Sequence, residues 1–162
     1  MFHVYGAHEF FERFVQQAYE EFLREPTSPL RVKTAVHQAN VMAERVWTLY
    51  AGQDPAKVGN AASAGDYRRH LVANECADFQ LVWDVDDGHK HIVLNRAGRR
   101  VSGAAQTGIS VRSALGEVGV GEAPLAGAVE EFVISLDDGS VRNLAEVLAN
   151  AMAMWERILR TH

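Results

Sequence analysis

The sequence is poor in the features that mark several common classes of protein. It contains one cysteine, Cys76, in 162 residues, which excludes an intramolecular disulfide and a cysteine-based zinc finger. The N-terminal stretch MFHVYGAHEFFERF lacks the basic region and the uninterrupted apolar region of a secretion signal. No apolar run is long enough for a membrane span. The sequence therefore predicts a cytoplasmic protein that does not associate with membranes.

The common catalytic and cofactor motifs are missing as well. The glycine-rich run between Gly116 and Gly127 lacks the Lys-Ser/Thr pair of a phosphate-binding loop. There is no Gly-x-Ser-x-Gly elbow. Cys76, six residues after His70, is more typical of a neutral thiol at a helix end than of a nucleophile. The sequence predicts no cofactor.

Acidic residues are absent from one long segment of this acidic protein. Residues 88–116 contain no Asp or Glu, and their five basic residues are Lys90, Arg96, Arg99, Arg100 and Arg112. The segment thus carries a charge of +5, and because the chain has a net charge of −5, the remainder carries −10. A local basic surface of this kind favours an anionic partner such as RNA, or an acidic surface on a second copy of the chain. Solvated arginines at strand ends are the alternative.

Hydrophobic periodicity defines the expected secondary structure. Helical spacing of apolar residues predicts helices over residues 9–24, 30–50, 66–75 and 141–160. A change to alternating spacing predicts strands over residues 92–94, 99–101, 107–115, 118–120 and 128–136, with a turn at Ala97-Gly98. The first helix is expected to place Phe11, Phe14, Val15 and Phe22 in the hydrophobic core.

These elements predict one α+β domain over residues 1–162. A bundle of four to five helices holds an antiparallel β-sheet or hairpin, inserted between the central and the C-terminal helix. Residues 1–90 form the helical part, residues 91–136 the β-insertion, and residues 140–161 the helix that returns to the bundle.

The central stretch, ADFQLVWDVDDGHKHIVL over residues 77–94, is where a site is expected. On a helix, Gln80, Asp84, Asp87 and His91 lie opposite the apolar arc, whereas Asp86 and His89 project into that arc. A carboxylate facing a core needs a partner. Either the helix ends before Gly88, with the basic residues after it complementing the helix dipole, or Asp86 and His89 satisfy each other or a third group. His37 and Asn40 of the second helix are expected on its far, solvated face.

Three residues of this stretch carry a resemblance to a known family. Trp83, Asp84 and His89 are spaced so that the helix resembles the second half of HEPN-like helical bundles, and the resemblance extends over half the chain. Active members carry an arginine, then a polar residue, and four to six residues later a histidine. Asp84 matches the polar position and His89 the histidine, while Trp83 stands at the arginine position. The resemblance implies metal-independent RNA cleavage with His89 as the base and a cation supplied by Lys90, Arg68 or Arg69.

A metal site is a further alternative. Asp84, Asp87 and His91 share a helical face at spacings of three and four residues, and carboxylate and imidazole groups can hold a divalent ion. One segment supplies too few converging ligands, so the sequence predicts no metal site. A small metal-binding helical protein stays open as an alternative.

Taken together, the sequence favours a binding module, expected as a homodimer, over an enzyme. The expected surface is the edge where the central helix meets the hairpin, and it contacts an anionic or protein partner. The predicted binding residues are Asp87, Lys90, His91, Arg96, Arg99 and Arg100. Asp84 and His89 are predicted catalytic residues under the ribonuclease alternative alone.

Overall fold

A computed structural model describes residues 4–90, 97–113 and 128–162, which form five helices and a small antiparallel sheet. The helices are α1 (residues 7–24), α2 (Pro29–Tyr50), α3 (Ala64–Asn74), α4 (Phe79–Lys90) and α5 (Leu144–Leu159). The strands are β1 (Thr107–Ser113), β2 (Ala128–Ser135) and β3 (Val141–Asn143), in the order β1-β2-β3. The predicted class, an α+β helical bundle with a small sheet, is confirmed. The strands predicted over residues 92–94 and 118–120 lie outside the described residues.

Helix α1 is continuous but changes its winding in the middle. Residues Phe11–Gln16 are π-helical, between α-helical turns at Ala7–Phe10 and Gln17–Arg24. Phe11, Val15 and Phe22 are buried as predicted, whereas Phe14 is 36% exposed. The expectation that Phe14 belongs to the core is therefore wrong, since its ring lies at the edge of the bundle.

Helices α2 and α5 form the centre of the bundle, and their predicted apolar stripes are confirmed. The buried residues of α5 are Leu144, Val147, Leu148, Ala151, Met152, Met154, Trp155, Ile158 and Leu159. Trp155 packs edge-on against Phe79 of α4, with ring centroids 5.6 Å apart. Its indole Nε1 donates a hydrogen bond of 3.0 Å to the carbonyl of Ala39 in α2, so that α2, α4 and α5 meet at one fully buried side chain.

Two helix starts differ from the prediction. Helix α5 begins at Leu144 and not at Val141, because Val141–Asn143 pair with β2 as a third strand. The Asn143 side chain caps the helix by accepting hydrogen bonds from the backbone N–H groups of Ala145 (2.8 Å) and Glu146 (3.3 Å). Helix α3 begins at Ala64 and not at residue 66, and the Ser63 side chain caps it by accepting a hydrogen bond from the backbone N–H of Asp66.

The sheet covers the bundle through β2. Ile134 and Leu136 are buried while Ser135 between them is exposed, which confirms the predicted alternation. Strands β2 and β3 are joined by a tight turn at residues 137–140, where Gly139 adopts a positive φ of 84°. β2 also packs against α5, so the sheet shares one hydrophobic cluster with the helices.

Helix α4 packs against α2, α3 and α5. It continues through Gly88 to Lys90, so the predicted helix end before Gly88 is wrong. The turn at Ala97-Gly98 is present, but residues 99–101 are not a strand. Among the described residues, no helix is both long and apolar enough to cross a membrane.

Candidate functional site

Helix α4 divides the predicted site residues between two of its sides. Asp84 and Asp86 are two positions apart, which places their side chains about 200° apart around a helix. Asp84 contacts the segment that leads into the sheet, whereas Asp86 contacts α2. The residues expected to form one surface therefore belong to two separate environments.

Asp84 is a fully buried acceptor on the sheet side of α4. Its Oδ2 accepts hydrogen bonds from the backbone N–H groups of Arg100 (2.6 Å) and Val101 (3.3 Å), and its Oδ1 accepts one from Gln80 Nε2 (2.8 Å). The prediction that Asp84 lies on the solvated side of the helix is wrong, because its exposure is 0%. These contacts fix the segment that precedes β1. Because the backbone N–H groups of residues 100 and 101 donate to the Asp84 side chain, they do not pair with a neighbouring strand.

The arginines near the sheet do not form a bare cationic surface. Arg99 donates from Nε to Ser102 Oγ at 3.3 Å and interacts electrostatically with Asp137. Arg100 interacts in the same way with Asp78 and Asp138. Their charges are thus partly balanced within the chain. Asp87 is half-buried, and the predicted binding residues His91 and Arg96 lie outside the described residues.

Asp86 is the centre of a polar cluster between α2 and α4. Its carboxylate, 2% exposed, accepts hydrogen bonds from His37 Nδ1 (3.0 Å), Asn40 Nδ2 (2.7 Å) and Lys90 Nζ (2.9 Å). Asp86 is therefore satisfied by third groups, one of the two outcomes expected from its position in the apolar arc. The expectation that His37 and Asn40 face away from the site is wrong, because that side of α2 packs against α4.

The ionisation of Asp86 follows from these contacts. Burial raises the pKa of its carboxyl, but the hydrogen bonds from Lys90, Asn40 and His37 outweigh burial and hold the pKa below its ordinary value. Asp86 is thus a carboxylate at neutral pH. A carboxylate can only accept, so Nδ1 of His37 carries the proton in this pair. Nε2 is then the nitrogen that can take up a proton when His37 is neutral. The His37 side chain is 41% exposed, so this imidazole is both oriented and accessible.

Arg68 of α3 joins the cluster through Asn40. Its Nε donates to Asn40 Oδ1 at 2.9 Å, and its Nη2 donates to the Asn40 carbonyl at 3.4 Å. The guanidinium also lies 5.7 Å from the ring centroid of Trp83. With a side chain only 12% exposed, Arg68 holds Asn40 in place and brings a positive charge next to Trp83.

His89 lies one turn from Asp86 on the same side of α4. Its Nδ1 is buried and has no hydrogen-bond partner among the described residues. Burial lowers the pKa of His89; Asp86 opposes this shift, while Lys33, His37 and Lys90 add to it. His89 is therefore neutral near pH 7. Lys33, His37 and Lys90 thus all lie close enough to His89 to act on its charge, and we call these four residues the α2–α4 face.

The α2–α4 face can bind anions and exchange protons. Lys33 and Lys90 are exposed residues, the Lys90 ammonium donates to Asp86, and His37 is an imidazole held by the same buried carboxylate. Within the described ranges, no three His, Cys, Asp or Glu residues converge as metal ligands. Of the alternative metal trio Asp84, Asp87 and His91, residue 91 lies outside those ranges.

Comparison with known proteins adds no relative: no family model, no curated protein and no solved structure matches this chain. The resemblance to HEPN-like bundles therefore stays a prediction.

Sequence reasoning named His89 and Lys90 as site residues and expected a partner for Asp86, but it placed none of Asp86, His37 and Asn40 in the site. Two signals were available in the sequence. Asp86 projects into an apolar arc and so requires partners. His37 and Asn40 are three residues apart, which places them on one face of α2.

Proposed function

We propose that the protein binds single-stranded RNA through the phosphodiester groups of the ligand, and that the α2–α4 face is the binding surface. The observation that carries this proposal is the convergence of Lys33, His37 and Lys90 around His89. The ammonium groups of the two lysines are donors suited to phosphate oxygens. A cytoplasmic location and a homodimer, both predicted from the sequence, are part of this proposal, and the dimer is tested by light scattering of the purified protein.

The site predicted from the sequence is modified in this proposal. Lys90 and His89 remain, and His37 and Lys33 are added from α2. Arg99 and Arg100 contribute less, because the backbone of Arg100 bonds to Asp84 on the sheet side of α4, away from the α2–α4 face. Asp84 has a structural role, because its carboxylate is sealed against the backbone of the segment before the sheet.

The experiment measures fluorescence anisotropy of a labelled single-stranded RNA as protein is added. Lys33→Glu reverses a charge on the proposed surface, and we expect it to weaken binding at least tenfold. Arg160→Glu is the matched control, because Arg160 is exposed and follows the C-terminal end of α5. Binding should also weaken as the salt concentration rises. If the two reversals weaken binding equally, or if RNA does not bind, the proposal is wrong.

A further inference from the structure

We infer that a cavity beside the C-terminal end of α5 binds a small organic acid that carries one carboxylate. Residues of α3, of the end of α5 and of the turn Pro55–Val58 line this cavity, whose volume is about 550 Å³. Pockets for small molecules measure roughly 300–1,000 Å³. No lining residue belongs to the α2–α4 face, so this site is separate from the proposed RNA-binding surface.

The first argument is the hydroxyl group of Tyr67. Tyr67 lines the cavity and is only 1% exposed, yet no described residue forms a hydrogen bond with its hydroxyl. Burial and the nearby Glu75 raise the pKa of Tyr67, so the hydroxyl keeps its proton and can donate. A buried polar group normally has a partner. An acceptor on a ligand in the cavity would supply the missing one.

The second argument is the charge of Lys57. Its Nζ donates to the backbone oxygen of His162 at 3.0 Å and lies 4.8 Å from the ring centroid of Tyr50. No acidic side chain in the described ranges pairs with this ammonium, which has further N–H donors to offer. Arg157, the other cation of the lining, is already paired with Glu75 at 3.1 Å. A cation without an acidic partner favours an anionic ligand.

The third argument is that the wall around Tyr67 is formed before a ligand binds. The ring of His70 stacks on Tyr67 with centroids 6.3 Å apart, and it packs so closely on Gly59 that a Cβ atom there would lie 2.5 Å from it. The Asn74 amide Nδ2 donates to the His70 carbonyl at 3.0 Å and lies 3.2 Å from His70 Nδ1. Nδ1 is therefore the acceptor, and Nε2 carries the proton of the neutral ring as a second donor.

The remaining lining limits the ligand to a monoanion with an apolar part. Leu71 and Ile158 are buried aliphatic residues of the wall, and they suit a hydrocarbon chain. The lining also contains Asp54, which is exposed, and Glu75, which is paired with Arg157. Two acidic and two basic side chains thus balance, so a dianion such as phosphate would be repelled more than a single carboxylate.

The test is a titration of the ¹⁵N-labelled protein with hexanoate, followed by NMR shifts of the backbone amides. Hexylamine and hexan-1-ol keep the chain length but replace the carboxylate, and inorganic phosphate supplies a dianion without an apolar part. We expect saturable shifts with hexanoate at residues 54–57, 67–71 and 157–162. The other three probes should bind more weakly by about tenfold or more, because hydrogen bonds to a charged carboxylate are the stronger ones.

Two variants test the contacts. Tyr67→Phe should weaken hexanoate binding about tenfold but leave the free energy of unfolding unchanged, because the lost oxygen bonds to no residue that the structure describes. Tyr19→Phe, in α1 and outside the cavity, is the matched control and should bind hexanoate like the wild-type protein. Lys57→Gln should also weaken binding, whereas Arg13→Gln in α1 should not.

Three results would overturn the inference. Hexylamine, hexan-1-ol or phosphate binds as tightly as hexanoate, the shifts lie away from the cavity or do not saturate, or Tyr67→Phe binds hexanoate like the wild-type protein. RNA takes no part in this experiment, so each of these results leaves the proposed function of the α2–α4 face unaffected.

Discussion

Replacing Asp86 with asparagine should destabilise the protein by about 2–4 kcal/mol. The substitution keeps the shape of the side chain, so it creates no cavity, but it exchanges a carboxylate oxygen for an NH₂ group. Asp86 accepts hydrogen bonds from His37, Asn40 and Lys90, and asparagine can accept with one oxygen only. At least one donor then faces another donor.

The magnitude follows from the burial of the three partners. A hydrogen bond to a charged group contributes about 1.5–3 kcal/mol, and a buried donor left without an acceptor costs about 1–3 kcal/mol. Asn40 is 2% exposed, so its bond counts in full. The His37 and Lys90 side chains are 41% and 46% exposed, so water replaces part of their contribution and they count at the low end.

The assay is urea unfolding at pH 7 followed by circular dichroism. Asp54→Asn is the control, because Asp54 is exposed, and it should change the free energy of unfolding by less than about 0.5 kcal/mol. A loss below about 1 kcal/mol for Asp86→Asn, or a loss equal to that of the control, would refute the view that Asp86 holds this cluster together.

Three further predictions concern pH and capping. Burial lowers the pKa of His89 in the folded protein. As pH falls, the unfolded chain therefore takes up a proton on His89 before the folded protein does, and the free energy of unfolding should fall below about pH 6.5. His89→Gln should flatten that slope in unfolding curves at pH 5–8. The Arg142 and Asn150 hydrogen bonds lower the pKa of Asp78, so its contribution is present above about pH 4 and lost as pH falls through the lowered value. Asp78→Asn should therefore reduce the acid sensitivity of the thermal midpoint, and an unchanged acid limb would contradict this. Asn143→Ala should lower the free energy of unfolding by about 1 kcal/mol, because it removes the cap of α5, and Asn143→Asp should restore most of that stability. Equal stability of the wild-type protein and both variants would exclude a stabilising role for the cap.

The regular part of the fold could be predicted because it follows from periodicity. The apolar stripes of α2 and α5 repeat at helical spacing, and the alternation through Ile134 and Leu136 marks a buried strand face. The start of α5 could not be predicted in this way. Residues 141–143 pair with β2 across a turn, and tertiary pairing overrides the local helical pattern there.

The candidate site was predicted only in part, because polar residues on a buried face look like solvated ones in a sequence. His37 and Asn40 lie outside the apolar stripe of α2, and that pattern alone indicates solvent. In the fold the same face packs against α4, where Asp86 supplies the acceptor. Asp84 shows the converse error, since its burial depends on backbone donors of residues 100–101, which no side-chain periodicity reports.

The ring nitrogen that carries the proton in neutral His37 tests the central claim most directly. ¹⁵N NMR of histidine side chains distinguishes the two neutral tautomers, and the His37 signals are assigned by their loss in His37→Gln. We expect the proton on Nδ1 in the wild-type protein and a mixture of tautomers in Asp86→Asn. A proton on Nε2 in the wild-type protein would mean that Asp86 does not accept a hydrogen bond from His37, and it would contradict the account of the cluster around Asp86.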